Sequence, residues 1–129
     1  MNRRKSQPLT ARETEIMKVL WDRGTATADE VRTSLSDSPH DSTVRTLLRV
    51  LEKKGHVRRD ARGRVHRYRP SLPQVAAQRG AVRNLLARFF GGSGEALVLR
   101  LLEDEQLTPK QLDKLRNALK QVCNEKNDD

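Results

Sequence analysis

Three times this chain writes the same four-residue helix start, and once, after Gly55, it changes the period of its apolar residues. "TARE" (Thr10 to Glu13), "TADE" (Thr27 to Glu30) and "TPKQ" (Thr108 to Gln111) are capping boxes. In each, the Thr hydroxyl accepts from an orphan backbone N–H and the Glu or Gln reaches back to the cap. The first helix carries Ile16, Val19 and Leu20 as its buried stripe, with Met17 and Trp21 alongside, and Gly24 stops it. The second is short and runs through Val31 and Leu35 until "SDSPHD" breaks it. Asp41 or Ser42 is then expected to cap a third, in which Val44, Leu47, Leu48 and Leu51 sit at i, i+3, i+4 and i+7.

Beyond Gly55, "HVRRDARGRVHRYRP" places the strand formers Val57, Val65 and Tyr68 on either side of "DARG", whose Gly63 can take a positive φ. That predicts a β-hairpin ending at Pro70, with Val65 and Tyr68 on opposite sides, so that one of them is partly exposed or packed on the first helix. Three helices followed by a two-stranded wing make a winged helix-turn-helix over residues 1–70, with the third helix in the recognition position.

From "PSLPQ" onward the sequence reads as helical. Val75, Val82 and Phe89 repeat every seven residues with Leu85 and Leu86 between, "GGSG" ends that helix, and Ala96, Leu97, Leu99, Leu101 and Leu102 crowd the next. The third box, with Pro109 at the first helical position, opens a helix bearing Leu112, Leu115, Leu119 and Val122 at seam spacing. So small and Leu-rich a half struggles to bury itself alone. Residues 71–129 are therefore expected to pair with a second copy in a two-fold homodimer, through Val82, Leu86, Phe89, Leu97, Leu101, Leu112, Leu115 and Leu119. The fold class is mainly α with a small β wing: an N-terminal winged helix-turn-helix plus a C-terminal helical dimerisation domain.

Charge says what the first half engages. Residues 1–70 carry 17 Lys and Arg against 9 Asp and Glu, a net +8, and residues 71–129 carry 9 against 8, a net +1. No apolar and aromatic helix face accompanies the basic charge, so nucleic acid is a better partner than a membrane. The third helix presents Ser42, Thr43, Arg45, Thr46 and Arg49, side chains that can hydrogen-bond base edges or phosphates, with Lys53 and Lys54 at the far end, where they complement the helix dipole or are simply solvated. An isolated helix of this pattern is more often plain solvated surface. The wing changes that reading. Arg58, Arg59, Arg62, Arg64, Arg67 and Arg69 face one acid, Asp60, and so dense a cluster repels itself unless an anion neutralises it. Arg62 at the turn is placed to reach a minor groove, and Arg58, Arg64 and Arg67 to track phosphates. The arm Asn2 to Lys5 carries little weight, because basic termini are commonly only solvated.

Other chemistries find less support. The three His residues, His40, His56 and His66, are scattered, without a carboxylate pair or a glycine-rich phosphate loop, so no enzyme, cofactor or metal site is expected. The single cysteine, Cys123, excludes an internal disulfide framework and suits a reducing cytosol. No run of 18 apolar residues occurs and no apolar segment follows the basic N-terminus, so the chain is expected to be soluble, cytoplasmic and not inserted in a membrane. Two rival readings are a winged-helix module that binds protein or RNA in a larger assembly, and a ligand- or metal-sensing repressor. The second is disfavoured because no cysteine cluster appears in the C-terminal half.

Four motifs, "LTARETEIMKVLW", "STVRTLLRVLEKKGHV", "GRVHRYRP" and "RNLLARFFGGSGEALVLRLLEDEQLTPKQLDKL", occur in the order and with the spacing of a known family. From Leu9 to Leu119 the chain resembles the penicillinase-repressor family of BlaI/MecI-type winged-helix transcriptional repressors. The resemblance implies a homodimeric repressor on a palindromic double-stranded DNA operator, with the family's recognition segment falling on Thr43, Val44, Arg45, Thr46, Leu47 and Leu48 and its wing on Gly63 to Tyr68. It also implies release by a membrane-bound sensor protease that cuts within the C-terminal half. The family's Asn-Phe cut site corresponds here to Arg100-Leu101 in "VLRLLEDE". Copper-responsive relatives carry a cysteine cluster that this chain lacks, and position 50 is Val where relatives often have Arg.

Overall fold

The first helix begins where its capping box puts it. In the computed structural model, which describes residues 8–61 and 63–127, with only the backbone of residues 126 and 127, α1 spans Ala11–Arg23. Thr10 Oγ1 accepts from the Glu13 N–H at 3.1 Å, and the Thr10 N–H donates to Glu13 Oε1 at 2.9 Å. Gly24, at φ 84°, closes the helix. The second box acts in the same way: the Glu30 N–H donates to Thr27 Oγ1 at 3.1 Å, the Thr27 N–H to Glu30 Oε1 at 2.8 Å, and α2 runs Ala28–Ser34.

Helix α3 spans Asp41–Lys54, but neither Asp41 nor Ser42 caps it. His40 does: its Nδ1 accepts from the Ser42 N–H at 3.1 Å, with Ser42 Oγ 2.8 Å from the same nitrogen. The ring nitrogen supplies the acceptor that a cap needs, and Asp41 becomes the first helical residue, where a carboxylate gains from the helix dipole. At the other end Gly55 takes the left-handed conformation at φ 87°, ψ 13°, and the His56 N–H returns to the Leu51 carbonyl at 2.9 Å. This is the glycine closure that lets the chain reverse into the wing.

The wing has three strands rather than two. Strand β1 is the two residues Ala26–Thr27, β2 is Val57–Asp60 and β3 is Arg67–Pro70, ordered β1-β3-β2 with both pairings antiparallel. A strand this short has no period to read, so only the paired structure reveals it. Val65 lies in the loop rather than in a strand and is 62% exposed, while Tyr68 is buried, which settles the facing of the hairpin. Gly63 has the positive φ its turn requires.

One core joins these elements. Ile16, Met17 and Leu20 of α1, Val31 of α2, and Val44, Leu48 and Leu51 of α3 are shut from solvent, together with Ala26, Ala28, Leu35, Val57 and Tyr68. Met17 takes the innermost place expected of Val19, which is only half-buried, as are Trp21 and Leu47. Each large aliphatic side chain so enclosed contributes about 2 kcal/mol. Trp21 Nε1 donates to the Leu72 carbonyl at 3.0 Å, tying α1 to the chain that leaves the wing.

Helices α4 (Gln74–Phe89), α5 (Gly94–Asp104) and α6 (Pro109–Asn127) follow. The chain divides into two compact units between Leu85 and Leu86, inside α4. Gly91 and Gly92 have positive φ, and the Gly92 N–H returns to the Leu86 carbonyl at 2.8 Å. Ser93 then caps α5 by accepting from the Ala96 N–H at 3.0 Å. The third capping box forms as written: the Gln111 N–H donates to Thr108 Oγ1 and the Thr108 N–H to Gln111 Oε1. Beyond Tyr68, none of the described residues is buried.

Candidate nucleic-acid interface

Because Val44, Leu48 and Leu51 fix one side of α3 in the core, its other side is set by the helical period. Ser42, Thr43, Arg45, Thr46, Arg49 and Lys53 are all exposed, as the sequence indicates. Register sorts the wing in the same way. Arg59 pairs with the buried Tyr68 and, two residues from the buried Val57, lies on the face of the sheet that looks toward the helices. Arg58, Asp60, Arg67 and Arg69 lie on the opposite face, with Arg58 directly across from Arg69.

Arg59 thus joins the recognition helix although no sequence argument singled it out. Its Nε is 3.6 Å from Glu52 Oε2 on α3, and its Nη1 is 3.5 Å from His66 Nδ1. Alternation from Val57 was the signal that could have found it. A cleft of about 440 Å³ is lined by Arg45, Arg49, Glu52, Arg59, His66 and Tyr68, and a second of about 200 Å³ by Ala28, Arg45, Arg64, Val65, His66 and Tyr68. Arg45 lines both.

Three acids hold particular basic groups. Arg45 Nε donates to Asp41 Oδ2 at 2.8 Å, and this hydrogen bond raises the affinity of the guanidinium for its proton. Glu30 accepts from Arg67 Nη2 at 3.1 Å and from Arg23 Nη2 at 3.2 Å, as well as from the Thr27 N–H. That backbone bond, aided by the two arginines against a smaller effect of desolvation, holds the Glu30 carboxyl below the ordinary glutamate range. Arg67 is therefore occupied with tying the wing to α2. Lys54, expected at most to complement the helix end, instead donates to both oxygens of the buried Glu13, at 2.9 and 3.0 Å. Burial pushes the Glu13 carboxyl up, but the Thr10 N–H and the Lys54 ammonium outweigh it and hold the carboxyl below its ordinary value. Arg49, Arg58, Arg64 and Arg69 make no ion pair among the described residues.

Arg62 and the arm Asn2 to Lys5 lie outside the described residues. Of the residues expected at a dimer seam, Val82, Phe89, Leu101, Leu112, Leu115 and Leu119 are exposed, and Leu86 and Leu97 half-buried. Arg100 and Leu101 are both exposed within α5. Among the described residues, no three His, Cys, Asp or Glu side chains gather in a group able to hold a metal ion, and no helix is long and apolar enough to cross a membrane.

Residues 9–121 match the family model described as Penicillinase repressor. The chain belongs to the penicillinase-repressor family. Its relatives include the penicillinase repressor of Bacillus licheniformis, 32% identical, with 88% of this chain aligned to 91% of that one. The methicillin resistance regulatory protein MecI of Staphylococcus aureus (strain N315) is 27% identical, over 89% of this chain and 95% of the relative. The solution structure of the DNA-binding domain of the repressor BlaI is 32% identical over 51% of this chain and 83% of that one, with a TM-score of 0.47. In this member of the penicillinase-repressor family, the matched span runs from the residue before the first capping box to the last turns of α6.

Proposed function

We infer that this protein is a homodimeric transcriptional repressor that binds a double-stranded DNA operator through α3 and the wing and pairs through residues 71–129. The family is one of DNA-binding transcriptional repressors and not of enzymes. One observation carries the reading of the site: the exposed polar face of α3 and the inner edge of the wing line shared clefts through Arg45, Arg49, Arg59 and Arg64. Thr43, Arg45, Thr46 and Arg49 take base edges in the major groove, while Ser42, Lys53, Arg58 and Arg64 meet phosphates. Arg67 is left to its bond with Glu30.

Dimerisation is supported by the state of the C-terminal half. Helices in which no described side chain is fully buried, with Phe89 69% and Leu119 63% exposed, leave an apolar surface that a second copy would cover. Release is assigned to a signal, proteolytic or otherwise, acting on that half. Scission at Arg100-Leu101 by a sensor protease would need α5 to open first, since that bond lies within a helix.

The test is competition at one fixed salt concentration, because phosphate binding is salt-dependent. Full-length protein on labelled duplex DNA should be displaced by unlabelled duplex at far lower concentration than by single-stranded RNA of equal length. Equal or better competition by RNA would replace this reading with that of an RNA-binding module.

A further inference from the structure

Of the two acids on α3 held by arginine, Glu52 reaches the wing, but Asp41 reaches along its own helix to Arg45, one turn on. We propose that Asp41 sets the base preference of the recognition helix by fixing the guanidinium of Arg45 for one base. The proposal rests on the DNA-reading role given to α3 above.

The bond engages Arg45 through Nε, 2.8 Å from Asp41 Oδ2. Both terminal nitrogens stay available as the planar fork that bridges O6 and N7 of guanine. An untethered arginine at an exposed helix position samples many rotamers and pairs with whichever phosphate is near. Arg49, exposed on the same helix and without an ion pair among the described residues, has no such tether. Arg45 has a partner that favours one rotamer, so less ordering remains when a base arrives. Its side chain is still 60% exposed, so the tether holds the group without hiding it.

Asp41 has a second effect. As the first residue of α3 it sits where the helix dipole favours anions, yet on a DNA-facing end its own carboxylate repels phosphates. The repulsion applies to every duplex alike, whereas the oriented fork rewards only a duplex with the matching base. The repulsion therefore weakens binding overall and cancels between sequences, so the discrimination comes from the fork alone. Asp41 is thus a positioning residue acting through Arg45.

Binding-site selection from a random duplex pool, run on the full-length protein and its variants, tests this. Arg45→Ala should flatten the preference at one position in each half-site, and Asp41→Ala should flatten the same position. Discrimination at that position should fall about 10-fold in Arg45→Ala and about 2-fold in Asp41→Ala. The double variant should be no flatter than Arg45→Ala. Asp41→Asn, which keeps both the helix start and an acceptor for Nε, should retain the preferred base while binding random duplex several-fold more tightly, since the charge is gone. An unchanged profile in Asp41→Ala, or a change at a position that Arg45→Ala leaves intact, overturns the proposal while leaving the repressor reading standing. Absence of any preference in the unaltered protein overturns that reading as well.

Discussion

At the residue scale, the winged helix is held less by its many arginines than by the acids that organise a few of them. Glu13 is the clearest case, because one buried carboxylate both completes the α1 capping box and receives Lys54 from the last turn of α3. Replacing it with Ala strands the ammonium and opens the cap, a loss of about 3 kcal/mol, seen as a lower midpoint in urea unfolding. Glu13→Gln should lose less, since the amide oxygen still accepts. The pH dependence follows from the direction of the shift. Glu13 binds its proton more weakly when folded than at the ordinary value of 4.5, so the stability it contributes is present above that value. It is lost as the pH falls through the lower, folded value. Glu13→Gln should flatten this acid limb of the stability profile. An equally steep limb in the variant would move the effect to Glu30, whose carboxyl is also held low.

At the element scale, what could be read in advance was whatever local chemistry dictates. All three Thr-led capping boxes form as written, Gly24 stops α1, Gly63 takes a positive φ, and Val44, Leu48 and Leu51 of the α3 stripe lie in the core with Leu47 half-buried beside them. Gly55 closes α3 on a left-handed backbone. Gly55→Ala puts a Cβ on a left-handed backbone and should lower stability by about 1 kcal/mol, measurable in the same unfolding experiment, without changing which DNA sequence is chosen. What could not be read was set by partners distant in sequence. Strand β1 exists only because β3 lies beside it, and Val65 is exposed because the strand it suggested gives way to loop. The α3 cap is a local exception: the ring nitrogen of His40, two residues from the Ser42 N–H, takes the place expected of Asp41 or Ser42. The same limit applied to the site. The α3 face was legible from period alone, while the roles of Arg59, Lys54 and Arg67 depended on Glu52, Glu13 and Glu30, which lie seven, 41 and 37 residues away.

At the scale of the whole molecule, a well-buried core in the first half stands against helices in the second that bury no side chain among the described residues. The charge is divided in the same sense, with nearly all of the excess before residue 71. One half is built to meet a polyanion, and the proposed dimer would cover the exposed apolar side chains of the other. A two-fold dimer of winged helices presents two recognition helices, and these fit half-sites spaced by about one helical turn of DNA, roughly 10 base pairs, or a multiple of it. The most direct measurement is therefore the sequence the unaltered chain selects from a random duplex pool, set beside that selected by Leu115→Asp, which places a charge on the exposed face of α6. An inverted repeat for the unaltered protein, reduced to a weak single half-site for Leu115→Asp, is the result expected of a dimeric repressor. A single unpaired site for the unaltered protein, or no enrichment at all, would contradict it.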